Sequence, residues 1–336
     1  MSELVEDFVR QESRSEGVAG IVVFGSFAKG GVVESSDLDL LVLREDIEVY
    51  SRERREENGI FLEIHRWPAM MFGIPFTGGQ SNVFQDAFCL AVMRDGKILY
   101  DPKEMLHRYK RYAQTHSLPH VHKRSLAGKA KASLLLAQDL LEKRELEAAE
   151  IEIRRAAEEL ARVLLLECDV LDLVSPKYYL LHLRREAPDF HRTFSEVHNL
   201  GEIHRDQVEA RIQLVSKWWR LIVDEIRQTG KEEWLRQSDA VQGAQTELSN
   251  AQDCLGKGEI EGAVLQTRYS AILLMSPVLR LSKERPADAP SKRYLRLVEK
   301  RHPYGDVVNH VMDFSGTRER TEEHVGILMR IADRYC

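Results

Sequence analysis

Val18-Ala-Gly-Ile-Val-Val-Phe24 runs into Gly25-Ser-Phe-Ala-Lys-Gly-Gly-Val-Val-Glu-Ser-Ser-Asp-Leu-Asp39, and the apolar run resumes at Leu40-Leu-Val-Leu43. Both flanks are apolar, and the first is rich in β-branched residues, so each reads as a strand buried in a sheet. The glycines between them then fall in a strand-to-helix turn. Gly25 lets the backbone approach a ligand closely, and a helix starting at Ser26 aims free N–H groups and the positive end of its dipole at an anion such as a polyphosphate. The Ser26 hydroxyl adds a further donor to that anion site.

Asp37 and Asp39 are two residues apart on the second strand, where side chains alternate between faces. Their carboxylates share one side, about 6 to 7 Å apart along the chain. That spacing suits joint chelation of one or two hard cations, and Mg²⁺ takes a few carboxylate oxygens while leaving its other positions to water and phosphate. The next strand candidate is Gly59-Ile-Phe-Leu-Glu-Ile-His-Arg-Trp67, which sets Glu63 among apolar neighbours. A lone acid in an apolar run is costly unless it has a partner. Glu63 is therefore the expected third metal ligand or base, with His65, two residues on and on the same face, in reserve.

The run resembles the Gly-Ser-x-x-x-Gly, then Ser-Asp-x-Asp-Leu signature of the DNA polymerase β-like nucleotidyltransferase superfamily, met here by Gly25, Ser26, Gly30, Ser36, Asp37, Asp39 and Leu40. The Gly30-Gly31 step and the acid in Leu62-Glu63-Ile64 are most similar to the small adenylyltransferases, including the minimal and aminoglycoside-modifying enzymes. The resemblance implies a mixed sheet with helices on it, two Mg²⁺ ions, and transfer of a nucleoside monophosphate from an NTP, ATP foremost, to a hydroxyl or similar acceptor with release of pyrophosphate. It makes Asp37, Asp39 and Glu63 the catalytic and metal-binding residues, and Gly25, Ser26, Lys29, Gly30 and Ser36 the nucleotide-binding ones. Lys29 stands where many relatives carry Arg, which keeps the charge and gives up bidentate contact with phosphate.

At 336 residues the chain has room for two or three domains, each with its own core. Charged residues make up 30% and the net charge is −6, which argues against a general nucleic-acid-coating protein. The basic patch at Arg108 to Arg111 reads as a solvated helix face. No stretch is apolar enough to span a membrane and the amino terminus lacks the basic start of a signal peptide, so the expected location is the cytoplasm. Cys89, Cys168, Cys254 and Cys336 show no Cys-x-x-Cys pairing and read as reduced thiols, mostly filling core. His116, His120 and His122 fall in an expected linker beside Pro119, with no acid or cysteine near them in sequence, and are not expected to bind metal.

The fold class expected is α+β: a nucleotidyltransferase domain over residues 1–115, with a mixed sheet and flanking helices, then a duplicated all-α region at 123–230 and 231–336. Val83 to Arg94 reads as a core element, Asp95-Gly96 as a turn into a short strand, and Met105 to Gln114 as a helix. From Lys123 onward Ala, Leu, Glu and Arg dominate at helical spacing. A shift of 114 residues sets Ala137-Gln-Asp-Leu-Leu-Glu-Lys-Arg-Glu-Leu-Glu-Ala-Ala149 over Ala251-Gln-Asp-Cys-Leu-Gly-Lys-Gly-Glu-Ile-Glu-Gly-Ala263, with Arg154 on Arg268 and Ala157 on Ala271. After one inserted residue, Lys177 and Tyr179 fall on Lys292 and Tyr294. That is duplication of a helical unit.

The unit loosely resembles the HEPN-type and kanamycin-nucleotidyltransferase-type helical domains. That resemblance implies a homodimer or a pseudo-dimer within one chain, and an Arg-then-His ribonuclease pair that Arg185 with His191 and Arg296 with His302 would match. Glu145, Glu147, Glu150 and Glu152 read as an ordinary solvated helix face. Two function classes remain open: an active transferase whose acceptor is a small molecule, a protein or RNA, and a nucleotide-sensing or RNA- or protein-binding regulator with an inactive transferase domain.

Overall fold

The computed structural model describes residues 2–28, 38–79, 82–173, 176–201, 203–230, 233–234, 238–284, 289–314 and 316–336. It divides into two compact units, Met1–His122 and Lys123–Cys336.

The first unit runs α1 (Ser2–Glu12), β1 (Val18–Phe24), α2 (Gly25–Ala28), β2 (Leu38–Arg44), β3 (Ser51–Glu57), β4 (Ile60–Pro68), α3 (Ala69–Gly73), α4 (Val83–Asp95), β5 (Lys97–Tyr100) and α5 (Met105–Thr115). Among the described residues the strands form one sheet in the order β3-β4-β2-β1-β5. β2 and β4 are parallel, and the β1–β2, β3–β4 and β1–β5 pairs are antiparallel, so the sheet is mixed. One face is apolar: Ile21, Val23, Leu38, Leu40, Val42, Leu62 and Ile64 pack with Val5 and Phe8 of α1. Because strand side chains alternate, the residues between them, Asp39, Glu63 and His65, are presented on the opposite face.

β3 has no counterpart in the sequence expectations, for it reads Ser-Arg-Glu-Arg-Arg-Glu-Glu and offers no apolar alternation. It is an edge strand, mostly exposed and hydrogen-bonded on one side to β4. A two-residue turn at Asn58-Gly59, with φ of 54° and 75°, sets its register. Positive φ at both central residues is the hairpin turn whose twist matches antiparallel strands. Its charges also guard the open edge against pairing with another chain.

Two sequence expectations are corrected by the structure. His120 and His122 do not lie in a linker: they open α6 (His120–Glu142), and buried His122 sets its Nε2 2.8 Å from Asp86 Oδ2 on α4. The acid that sequence proximity did not supply comes from 36 residues away. Glu150 and Glu152 are not solvated either; both are buried in the second unit, where Glu150 accepts from Gly316 N and Arg154 and Glu152 accepts from Ser291. Of the cysteines, Cys89 and Cys254 are buried, Cys168 and Cys336 exposed, and all are free thiols.

The second unit is helical: the rest of α6, then α7 (Leu146–Glu167), α8 (Pro176–Glu186), α9 (Pro188–Val197), α10 (Arg205–Gln228), α11 (Asp239–Gly256), α12 (Ile260–Leu281), α13 (Pro290–Glu299), α14 (Pro303–Met312) and α15 (Arg318–Ala332). α12 begins and ends 114 residues after α7. Left-handed backbone at Arg144, Asp169 and Asn199 returns at Gly258, Lys283 and Asp313 with the same offset. The copies interleave: α7 packs against α13 and α15, and α12 against α8. Paired arginines fasten them. Arg154 donates to Val197 O in its own copy and Met312 O in the other; Arg268 donates to Val311 O in its own and His198 O in the other. Each of these two carbonyl bonds of the first is the second's, displaced by 114.

His198 lies where the other copy has Met312. Its ring is buried, stacks on Phe194 at 4.3 Å, and has no hydrogen-bond partner at either nitrogen among the described residues. Burial, reinforced by Arg154 and Arg268, pushes its pKa well below the ordinary value. Below about pH 6.5 the unfolded chain therefore binds a proton that the folded chain excludes, and stability falls with acid. His198→Met, which copies the other half, is expected to leave stability at pH 8 within about 1 kcal/mol of wild type. The same substitution should flatten the fall between pH 7 and 5, as read by denaturant titrations at each pH.

Candidate functional site

The site forms where β1, β2 and β4 lie side by side. Asp39 is in register with Phe24 on β1 and with Glu63 on β4, so three neighbouring strands hold one level of the sheet. Gly25 follows Phe24 at φ 71°, and a Cβ built on it would fall 2.0 Å from Asp39 Oδ2. The Asp39 carboxylate thus occupies space that any side chain at position 25 would take, which is why the turn needs glycine there.

Glu63 is bonded at both oxygens. His65 Nε2 lies 2.9 Å from Oε1, and Arg52 Nη2 donates to Oε2 at 2.5 Å. On the far side of the imidazole, Tyr50 Oη is 2.8 Å from His65 Nδ1. The ring is further held by Phe24, edge-on at 5.3 Å, and by Phe88 of α4 at 6.0 Å. Burial alone would raise the Glu63 pKa, but the bonds from His65 and Arg52, with their charges, outweigh it and hold the carboxyl down at about 2. Burial likewise raises the Tyr50 pKa, against the opposing pull of Arg52, so the phenol stays protonated at neutral pH.

Asp39, Glu63 and His65 each offer one ligand atom within 4.8 Å of the others. Two carboxylates and an imidazole converging in partly buried surroundings are a donor set that fits a divalent metal ion.

Of the residues expected from sequence, Gly25, Asp39 and Glu63 come together here, Ser26 is the second residue of α2, and reserve candidate His65 joins Glu63 in the same cluster. Lys29, Gly30, Ser36 and Asp37 lie outside the described residues. Arg52 and Tyr50 were not anticipated. The signal that finds them is the Asn58-Gly59 turn, which fixes a register with Arg52 opposite His65. In the helical unit Arg185 pairs with Glu186, and the arginine that reaches His191 is Arg184, at 3.3 Å. His302 accepts from Tyr304 N and caps α14.

Residues 2–66 match the family model described as Nucleotidyltransferase domain. A comparison with curated proteins found none that matches. Among solved structures, the chain is similar to a nucleotidyltransferase-like protein from Exiguobacterium sibiricum 255-15, at 14% identity and a TM-score of 0.41, over 60% of this chain and 67% of that one. No helix among the described residues is long and apolar enough to cross a membrane.

Proposed function

We propose that the first unit transfers a nucleoside monophosphate from a nucleoside triphosphate, ATP in the first instance, to a hydroxyl-type acceptor. The acceptor oxygen bonds to the α-phosphorus, the α–β anhydride bond breaks, pyrophosphate leaves, and the hydroxyl proton passes to solvent. The observation that carries this reading is the in-register placement of Asp39 and Glu63 on parallel strands with the Gly25 turn closed against Asp39, inside a segment that matches the nucleotidyltransferase family.

Gly25 opens the backbone to the triphosphate. Ser26 and Lys29 supply a hydroxyl and a charge for its oxygens, and Gly30 and Ser36 belong to the same nucleotide-binding set. Asp37, Asp39 and Glu63 hold divalent ions, Mg²⁺ in the first instance, which activate the attacking hydroxyl and neutralise charge developing at the α-phosphate and leaving pyrophosphate. With both oxygens engaged and its carboxyl held at about 2, Glu63 contributes charge and position and does not take up the acceptor's proton. The helical unit recognises the acceptor, and the cross-bonding of Arg154 and Arg268 between its copies supports an intramolecular pseudo-dimer in place of a homodimer. The cytoplasm is the location that goes with a reaction of ATP.

The test uses nucleoside triphosphates labelled at the α-phosphate, incubated with Mg²⁺ or Mn²⁺ and a cell lysate. Label is expected in an acceptor fraction with wild type and reduced at least about a thousandfold with Asp39→Ala, the scale of losing an electrostatic group at the reacting centre. Nucleotide binding with no label in any fraction defeats the transferase reading and favours a nucleotide sensor.

A further inference from the structure

We infer that the metal set of this domain includes His65, so that Asp39, Glu63 and His65 form a nitrogen-containing site that takes Mn²⁺ in preference to Mg²⁺. The inference rests on the nucleotidyl-transfer reading and specifies its metal.

Two independent features of the cluster point to it. His65 Nε2 and Glu63 Oε1 stand 2.9 Å apart. Neighbouring ligands of an octahedral ion with bonds of about 2.1 Å are separated by roughly 3 Å, so the hydrogen-bonded pair already has the spacing of two adjacent ligands. The other feature is the far side of the ring. A histidine that binds metal through one nitrogen characteristically donates from its other nitrogen to a fixed acceptor, which sets tautomer and orientation. Tyr50 Oη is in that position, 2.8 Å from Nδ1, and Phe24 and Phe88 confine the ring plane.

With Nε2 given to an ion, Nδ1 would carry the ring hydrogen and Tyr50 Oη would accept it. Arg52 keeps Glu63 Oε2, leaving Oε1 for the ion, so Glu63 coordinates through a single oxygen. Arg52 and Tyr50 are positioning residues in this arrangement. Ligand softness then decides the metal. Carboxylates and water suit both Mg²⁺ and Mn²⁺, and an added imidazole nitrogen favours a first-row transition ion over Mg²⁺, so a mixed oxygen and nitrogen set of this kind tips the choice between those two ions toward Mn²⁺.

The experiment is electron paramagnetic resonance of Mn²⁺ added to the untagged full chain, with pulsed detection of nitrogen coupling and competition by Mg²⁺. Wild type is expected to show ¹⁴N modulation from a directly bound imidazole. His65→Gln is expected to lose that modulation and to bind Mn²⁺ at least about tenfold more weakly. Mg²⁺ should displace Mn²⁺ more readily from His65→Gln than from wild type. Tyr50→Phe, which leaves Nε2 in place, should keep the modulation and lose part of the affinity; it serves as the second variant should His65→Gln fail to fold.

Bound Mn²⁺ without nitrogen modulation in wild type overturns the inference and leaves nucleotidyl transfer standing on carboxylates alone. No protein-bound Mn²⁺ signal at all also overturns it. Nitrogen modulation with no transfer of label under any divalent ion leaves the metal set intact and defeats the transferase reading instead.

Discussion

Gly25→Ala is expected to lower nucleotidyl transfer by at least about a hundredfold, the loss associated with misplacing a reacting group by roughly 1 Å, while the domain stays folded. The alanine Cβ would have to share space with Asp39 Oδ2, which lies 2.0 Å from its ideal position, and the backbone there holds φ at 71°. The left-handed conformation alone costs a non-glycine residue about 1 to 2 kcal/mol. Relief comes from turning Asp39 away or opening the turn. Either movement separates the carboxylate from its position beside Glu63. The buried face of the sheet does not involve position 25, so circular dichroism should match wild type and the midpoint of thermal unfolding should drop by only a few degrees. Turnover within threefold of wild type would show that Asp39 does not need this position.

The same few residues explain why this part of the molecule was legible before the structure. β1, β2 and β4 announce themselves by apolar runs, and the acids that interrupt them stand out because a sheet interior tolerates charge poorly. The information is local: a turn, a period of two, and a lone Glu63. Arg52 and Tyr50 carry no such mark. They belong to a charged edge strand and the segment before it, and their importance comes from a pairing register that only the Asn58-Gly59 turn hints at.

Burial of Glu150 and Glu152 was illegible for another reason. Helical periodicity reports which residues share a face, but what covers that face here is the other copy of the repeat. Gly316, whose amide bonds Glu150, is 166 residues away, and Ser291, which bonds Glu152, is 139 away. The duplication itself could be read from the sequence, but not that its copies would interleave and bury each other's acids. His122 is the smaller instance, paired with Asp86 across 36 residues.

The duplication also leaves an asymmetry with a large expected consequence for stability. Arg154 bonds Glu150 at 3.0 Å, one turn earlier on α7. The residue 114 further on from Glu150 is Val264, and at Arg268 the equivalent nitrogen, Nη2, has no hydrogen-bond partner among the described residues. The arginines brace matching carbonyls, but among the described residues only Arg154 hydrogen-bonds an acid.

Arg154→Met strands Glu150 as a buried acid whose remaining bond is to Gly316 N, and breaking a buried pair from one side costs about 3 to 5 kcal/mol. Arg268→Met abandons carbonyls in the same way and strands no acid, so its cost should be smaller by about 2 kcal/mol, near the penalty for a buried unpaired group. Glu150→Val in the Arg154→Met background gives the first copy the same apolar pair that Arg268→Met creates beside Val264 in the second, and should recover most of that difference. Urea titrations of the single and double variants measure it. Equal losses for Arg154→Met and Arg268→Met would mean that the stability resides in the carbonyl braces and that Glu150 contributes nothing to it.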